Sequence, residues 1–277
     1  MSRLTTRVKH IHLSSLISGI RADVNDVRLA SIDCQTAEGT VVHNGFNHII
    51  FATQANRAVP LLESYLSSLP AESPLRVPIE AQIQCLRAFR YRGTIVVNHT
   101  DDTLMPDSME DRRDLNLVCR DRSFEGNFSK VADGGKISPL CISATHTMAT
   151  HMLPHPAGYP AHLPQMYQTT NPIVAPCEDS IVSVAELERA VLTPEAKECL
   201  EGLYEEKERR WWQCRVESEA KLGRLQGGGR EGPGVWICGS FAYGGIPLLE
   251  GCVVSARTVV EQGVLMSEGV ALRGSPW

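Results

Sequence analysis

The chain has 277 residues, 43% of them hydrophobic, which is enough for a substantial core and about two domains. Twenty-seven basic against 32 acidic residues leave a formal net charge of −5 and no nucleic-acid footprint; Arg87, Arg90, Arg92 and the pair Arg209–Arg210 are short, interleaved with acids, and read as solvated faces. No apolar run reaches the length of a membrane span, and the first fifteen residues lack an apolar secretory core. Nine cysteines, no two closer than fourteen residues, fit buried free thiols in a reducing, cytoplasmic setting and exclude a zinc ribbon.

In chain order, residues 11–20 read as a short strand and turn. Residues 27–36 alternate as a half-exposed strand, and 40–43 are a return strand, which together predict a small antiparallel meander. His48–Ile49–Ile50–Phe51 is an apolar run that stops abruptly at Ala52–Thr53–Gln54, the pattern of a buried parallel strand whose carboxyl end faces a crevice. Helical spacing follows over 56–69, Pro70, Pro74 and Pro78 mark a connection, and a second helix is expected over 79–87. Residues 90–99 make a strand, 107–137 a surface excursion, and 142–152 and 165–170 two further strands of an antiparallel sheet. Ser183 and Glu186 have the spacing of a helix capping box, and Thr193–Pro194 opens a helix expected to run over 194–226 with Leu200, Leu203, Tyr204, Trp211 and Trp212 on it. Gly227–Gly228–Gly229 stops it, and the end of the chain around Pro276–Trp277 reads as loose.

The stretch 235–260 has the densest pattern. Val235–Trp236–Ile237–Cys238 reads as a buried strand, and a loop carrying Gly239, Ser240, Tyr243, Gly244, Gly245 and Pro247 follows. A helix then opens beside Glu250–Gly251, with Leu249, Val253, Ala256 and Val260 at helical spacing. Strand, glycine loop and helix start present unpaired N–H groups to an anionic or electron-rich ligand; the same glycines equally suit a tight turn. Histidines 146, 151, 155 and 162 are dense but fall on opposite strand faces or beside Pro154, so no metal site is expected. His99 with Asp101 and Asp102 reads as a strand-end turn rather than an acid/base group, and no GxSxG nucleophile turn occurs. Tyr243 borders a cofactor if the loop faces one, and otherwise packs in the loop.

Three segments in order, residues 43–62, 86–106 and 225–256, with SATHTMATHM and YQTTNPI between them, resemble the carboxyl-terminal two-thirds of the flavin-containing amine oxidase-like oxidoreductases. The resemblance covers most of residues 10–263. It implies an α/β protein, α+β in its middle, in which residues 1–60 and 231–277 form an incomplete FAD/NAD(P)-binding Rossmann-like domain. Residues 61–230 would then be a substrate domain with a mixed, mostly antiparallel sheet. It further implies FAD as cofactor and hydride transfer from a small organic molecule to flavin N5. Ile17 would lie by the adenine, Ala52 and Thr53 near the dinucleotide, Gly239 and Ser240 near the ribityl-pyrophosphate, and Glu250, Gly251 and Cys252 at the helix start facing the pyrimidine ring. The chain departs from that pattern in having no GxGxxG, and in placing serine at 240 where the family has an acid. The dinucleotide lobe is therefore expected to be absent, leaving a truncated enzyme, a non-catalytic remnant or binding module, or a subunit completed by a separate GxGxxG-bearing chain.

Overall fold

Alternating apolar and polar residues broken by turn-formers build the first sheet. In the computed structural model, which describes residues 8–119, 147–155, 158, 160, 162–205, 221–227, 232–244 and 249–271, β1 (Leu16–Ala22), β2 (Ala30–Thr36) and β3 (Gly39–Phe46) form the expected antiparallel meander. Asp23 organises the β1–β2 turn by accepting the Asn25 N–H at 2.9 Å and the Ser31 hydroxyl at 2.9 Å, and these bonds hold its carboxyl below the usual range. Next come β4 (His48–Phe51) and α1 (Ala55–Ser68). Ala55, Ala58, Leu62 and Tyr65 recur every three or four residues, so one face of α1 is buried. That helix is bonded to the meander through serines: Ser64 donates to the Ile20 carbonyl at 3.1 Å, and Ser68 accepts from Ala22 N–H at 2.8 Å.

Helix α2 (Arg76–Arg87) buries Ile79, Ile83 and Leu86 on the same core. Its Arg87 is ion-paired with Glu63, in keeping with a solvated basic face. Strands β5 (Arg90–His99), β6 (Leu115–Val118), β7 (Met148–Met152), β8 (Tyr167–Thr170) and β9 (Ile181–Val191) form a five-stranded sheet in the order β6-β7-β8-β5-β9, antiparallel at β6–β7, β7–β8 and β8–β5. Helix α3 (Pro194–Leu200) follows, then the two-residue strands β10 (Tyr204–Glu205) and β11 (Lys221–Leu222), which pair with each other. Last are β12 (Gly234–Ile237) and α4 (Leu249–Thr258), which continues through a π-helical turn at Val259–Val264 into a final helical turn, Leu265–Ser267. β12 pairs with β4 in parallel, from Gly234 opposite His48 to Ile237 opposite Phe51.

The described residues lie in two compact units, one within Met1–Tyr91 and Ala190–Trp277, the other within Arg92–Arg189. The sequence reading divided the chain at 60 and 230, whereas α1 runs through 60, and α2 and α3 contribute to the core of the first unit. That core gathers Ile49 and Phe51 from β4, Val235 and Ile237 from β12, Leu62 and Tyr65 from α1, and Leu203. Each such side chain contributes about 1.5–3 kcal/mol by leaving water.

Several expected elements change character. Ser183 and Glu186 do not cap a helix; they lie in β9, where β-branched Ile181, Val182 and Val184 favour a strand and Ser183 accepts from Asn98 Nδ2 at 2.9 Å. The helix at 194 opens as expected, with Thr193 Oγ1 accepting the Ala196 N–H at 3.1 Å, but ends at Leu200 instead of running to 226. Two glycines are the cause. A Cβ on Gly223 would fall 2.3 Å from the Gly202 carbonyl oxygen, so the backbones cross in contact, with Gly223 N–H donating to Leu203 O and Leu225 N–H to Gly202 O. Those bonds bury Leu203 and Tyr204 in a turn and strand. Trp211, Trp212 and His146 lie outside the described residues.

The predicted stripe mostly turns the other way: Leu249, Val253 and Val260 are 80%, 64% and 40% exposed, and of the four Ala256 alone packs inward, against the cluster of Trp236, Cys238 and Val259. The inner face of α4 is Gly251, Ser255 and Thr258, small enough for the helix backbone to approach the sheet. His48–Phe51 is buried on one face only, since Ile50 is 43% exposed. Cysteines 34, 85 and 238 are buried free thiols, whereas Cys119 and Cys177 are exposed.

Within the five-stranded sheet His99 is fully buried. It accepts the Asp101 N–H on Nδ1 at 3.1 Å, which leaves the proton on Nε2 to be donated to Thr169 Oγ1 at 2.7 Å; that hydroxyl lies 2.9 Å from Thr150 Oγ1. Burial pushes its pKa down against the opposing pull of Asp101.

Two outcomes follow for stability. Gly223→Ala should cost about 1–3 kcal/mol in denaturant unfolding, whereas Gly93→Ala, whose Cβ would meet nothing within 4 Å, should change it by under about 0.5 kcal/mol. Because the folded pKa of His99 is depressed, the unfolded chain binds the extra proton. Stability from this group is therefore complete above the unfolded value near 6.5 and falls as pH drops below it. A His99→Gln protein should show a flatter unfolding midpoint between about pH 7 and 5, and an unchanged slope would remove His99 as the cause.

Candidate functional site

Parallel register sets the geometry of the predicted site. With Phe51 opposite Ile237, the residues leaving the carboxyl ends of β4 and β12 are neighbours: Ala52 and Thr53 from one, Gly239 and Ser240 from the other. Gly239 has φ +145°, and a Cβ built on it would sit 3.9 Å from the Thr53 carbonyl. The loop then brings Tyr243 over the start of α4, where a Cβ on Gly251 would lie 3.1 Å from Tyr243 Cδ1 and 3.3 Å from the Ser240 carbonyl. Glu250 is exposed beside it and Cys252 half-buried. Eight of the nine predicted residues thus belong to one edge. Ile17 belongs to another sheet, in β1 opposite Cys34, 40% exposed.

Ser255 ties this edge together. Fully buried on α4, it accepts the Gly239 N–H at 3.0 Å, lies 3.1 Å from the Gly239 carbonyl, and has its own carbonyl bonded to the Tyr204 hydroxyl at 2.7 Å. Phe241 packs edge-on against Phe89 at 5.0 Å between ring centres, fixing the loop from below. Sequence spacing offered no signal for Ser255, since a serine in an apolar helix carries no pattern of its own.

Two backbone donors on this edge, and the space over a third residue, are already taken. The Ala55 N–H at the start of α1 donates to the Tyr91 hydroxyl at 2.7 Å, the Gly239 N–H to Ser255, and Gly251 is covered by Tyr243. With the Phe241 ring 3.2 Å from where a Gly239 Cβ would sit and these donors engaged, the residues do not fit the pyrophosphate of FAD, and no redox step is derived from them. Among the described residues no three histidines, cysteines or carboxylates come together to hold a metal, and no helix is long and apolar enough to cross a membrane.

The amino ends of the same two strands carry a cavity of about 720 Å³. Its wall includes Asp26, Arg28, His48, Trp236, Met266 and Glu268. His48 and Trp236 entered the sequence reading only as strand residues. Their convergence depends on the β4–β12 register, which no local pattern encodes. His99 and Asp101 form the turn expected for them: Asp101 accepts the Thr103 N–H at 2.9 Å and the Cys177 N–H at 2.8 Å, so its carboxylate is committed to loop structure.

No protein-family model matches this chain, and no curated protein does.

Proposed function

We propose that this chain is the flavin-facing part of an FAD-dependent, amine oxidase-like oxidoreductase, completed by a separate dinucleotide-binding segment that pairs with the outer edge of β4. The observation that carries this is the asymmetry of the β4–β12 sheet. The outer edge of β12 is closed: Gln226 accepts the Ile237 N–H at 2.9 Å and donates to the Ile237 carbonyl at 2.8 Å, and the Gly227 N–H donates to Val235 O at 2.9 Å. The outer edge of β4 has no such partner among the described residues, and Ile50 beside it is 43% exposed. An open parallel edge flanked by apolar surface accepts another strand. The absence of GxGxxG and the engaged N–H groups support assigning the pyrophosphate to the added segment. Bound there, flavin would supply the hydride acceptor, while Gly239 and Tyr243 would border it. The engaged donors also favour a second reading, a binding module without redox chemistry.

Purified alone, the chain should carry no stoichiometric flavin by absorbance and bind added FAD weakly. Co-expressed with a βαβ lobe bearing GxGxxG, it should retain flavin one to one. Flavin held by the chain alone would show that the engaged donors are not a barrier. Failure of the lobe to associate with a stable monomer would leave the binding-module reading. Ile50→Lys should abolish lobe association while changing the chain's own unfolding free energy by less than about 0.5 kcal/mol.

In the completed protein, Gly251→Val should push Tyr243 aside and lose flavin while far-UV circular dichroism stays unchanged. Full flavin occupancy in that variant would make the loop a simple turn.

A further inference from the structure

The cavity at the amino ends of β4 and β12 is independent of the flavin reading and is built differently. At its wall the indole of Trp236 is enclosed by three glycine backbones. A Cβ on Gly227, Gly234 or Gly263 would fall 2.8, 2.6 or 2.3 Å from an indole atom, so any side chain at these positions would displace the ring. Held there, the indole N–H, which can only donate, points to His48 Nδ1 at 3.1 Å. His48 therefore carries its proton on Nε2 and donates it to Glu268 Oε1 at 2.7 Å. Both ring nitrogens are engaged, so the imidazole acts as an orienting group that fixes one oxygen of the Glu268 carboxylate.

Charge then points to the ligand. Among the described residues two carboxylates, Asp26 and Glu268, and one guanidinium, Arg28, line the cavity. Arg28 is committed to Asp26: its Nε lies 3.0 and 3.2 Å from the two carboxylate oxygens, and its Nη2 lies 2.8 Å from Oδ2. This pairing holds the Asp26 carboxyl down at about pKa 2. Among the described residues Glu268 has a neutral hydrogen-bond donor in His48 and no cation, so these residues leave one negative charge uncompensated. A carboxylate with one oxygen pinned and the other open presents the planar fork that a guanidinium matches with two parallel N–H···O bonds. Leu29 and Met266 in the wall offer apolar surface to the body of the ligand. The volume is in the range of small-molecule sites.

We propose that this cavity binds a small guanidinium or amidinium compound through Glu268, with His48 and Trp236 as positioning residues. The test is calorimetric titration of the full chain with benzamidine and propylguanidine, alongside propylamine as the non-planar control. The planar cations should bind at least tenfold more tightly than propylamine. Glu268→Gln, a change at an exposed side chain that leaves the fold intact by thermal unfolding, should weaken binding of the planar cations at least tenfold. Arg28→Gln should strengthen it several-fold, because Asp26 then loses its partner and the cavity gains negative charge. Propylamine binding as tightly as propylguanidine would overturn the guanidinium assignment. No binding, or affinity unchanged in Glu268→Gln, would overturn the site. Neither result bears on flavin retention, which is read separately at the other edge.

Discussion

The parallel pairing of β4 with β12 is the constraint on which the first unit depends. It joins two segments far apart in sequence, supplies four of the core's apolar side chains, and in one register sets the positions of both strand ends. A slip of one residue would exchange the buried face, Ile49 and Phe51, for His48 and Ile50. It would also separate Thr53 from Gly239 at one end and His48 from Trp236 at the other. Gln82, wholly buried on α2, reinforces the register by donating to the Val235 and Leu225 carbonyls, which ties helix, strand and the turn before β12 to one amide.

Local pattern made much of this readable. The meander, both helices after β4, the strand 90–99, the cap at Thr193 and the strand at Val235 each follow from periodicity or turn chemistry within a few residues. The nine cofactor-edge residues came from the resemblance, and eight of them meet because β4 and β12 pair in parallel, a pairing that local pattern does not encode. What local pattern misjudged was decided by contacts distant in sequence. Ser183 and Glu186 have capping spacing, yet β9 is a strand because it completes a sheet with β5. Residues 200–205 have helical composition, yet the crossing at Gly202 and Gly223 sets a different backbone. The apolar stripe of α4 suggested an inward face, but closeness to the sheet selected glycine, serine and threonine for that side.

Trp236 shows the same principle at the scale of one side chain. In sequence it is an apolar residue in a strand. In the fold its ring lies on the backbone of Gly263 within the π-helical turn, where the helix departs from regular spacing, and its one polar atom reaches across to β4. Gly227, which read as a helix stop, and Gly234, the first residue of β12, are the absence of side chains that lets an indole and an imidazole meet.

The order of segments has a consequence for synthesis. The first unit is discontinuous, with Arg92–Arg189 inserted between its two parts. As the chain leaves the ribosome, β4, α1 and α2 emerge long before β12, so Ile49, Phe51 and Leu62 have no strand or helix from the second part to cover them until residue 237 is made. The inserted unit is continuous and can close on itself during that interval. The part of the amino-terminal apolar surface that β12 covers therefore stays uncovered for a time set by the length of the insertion and the rate of translation.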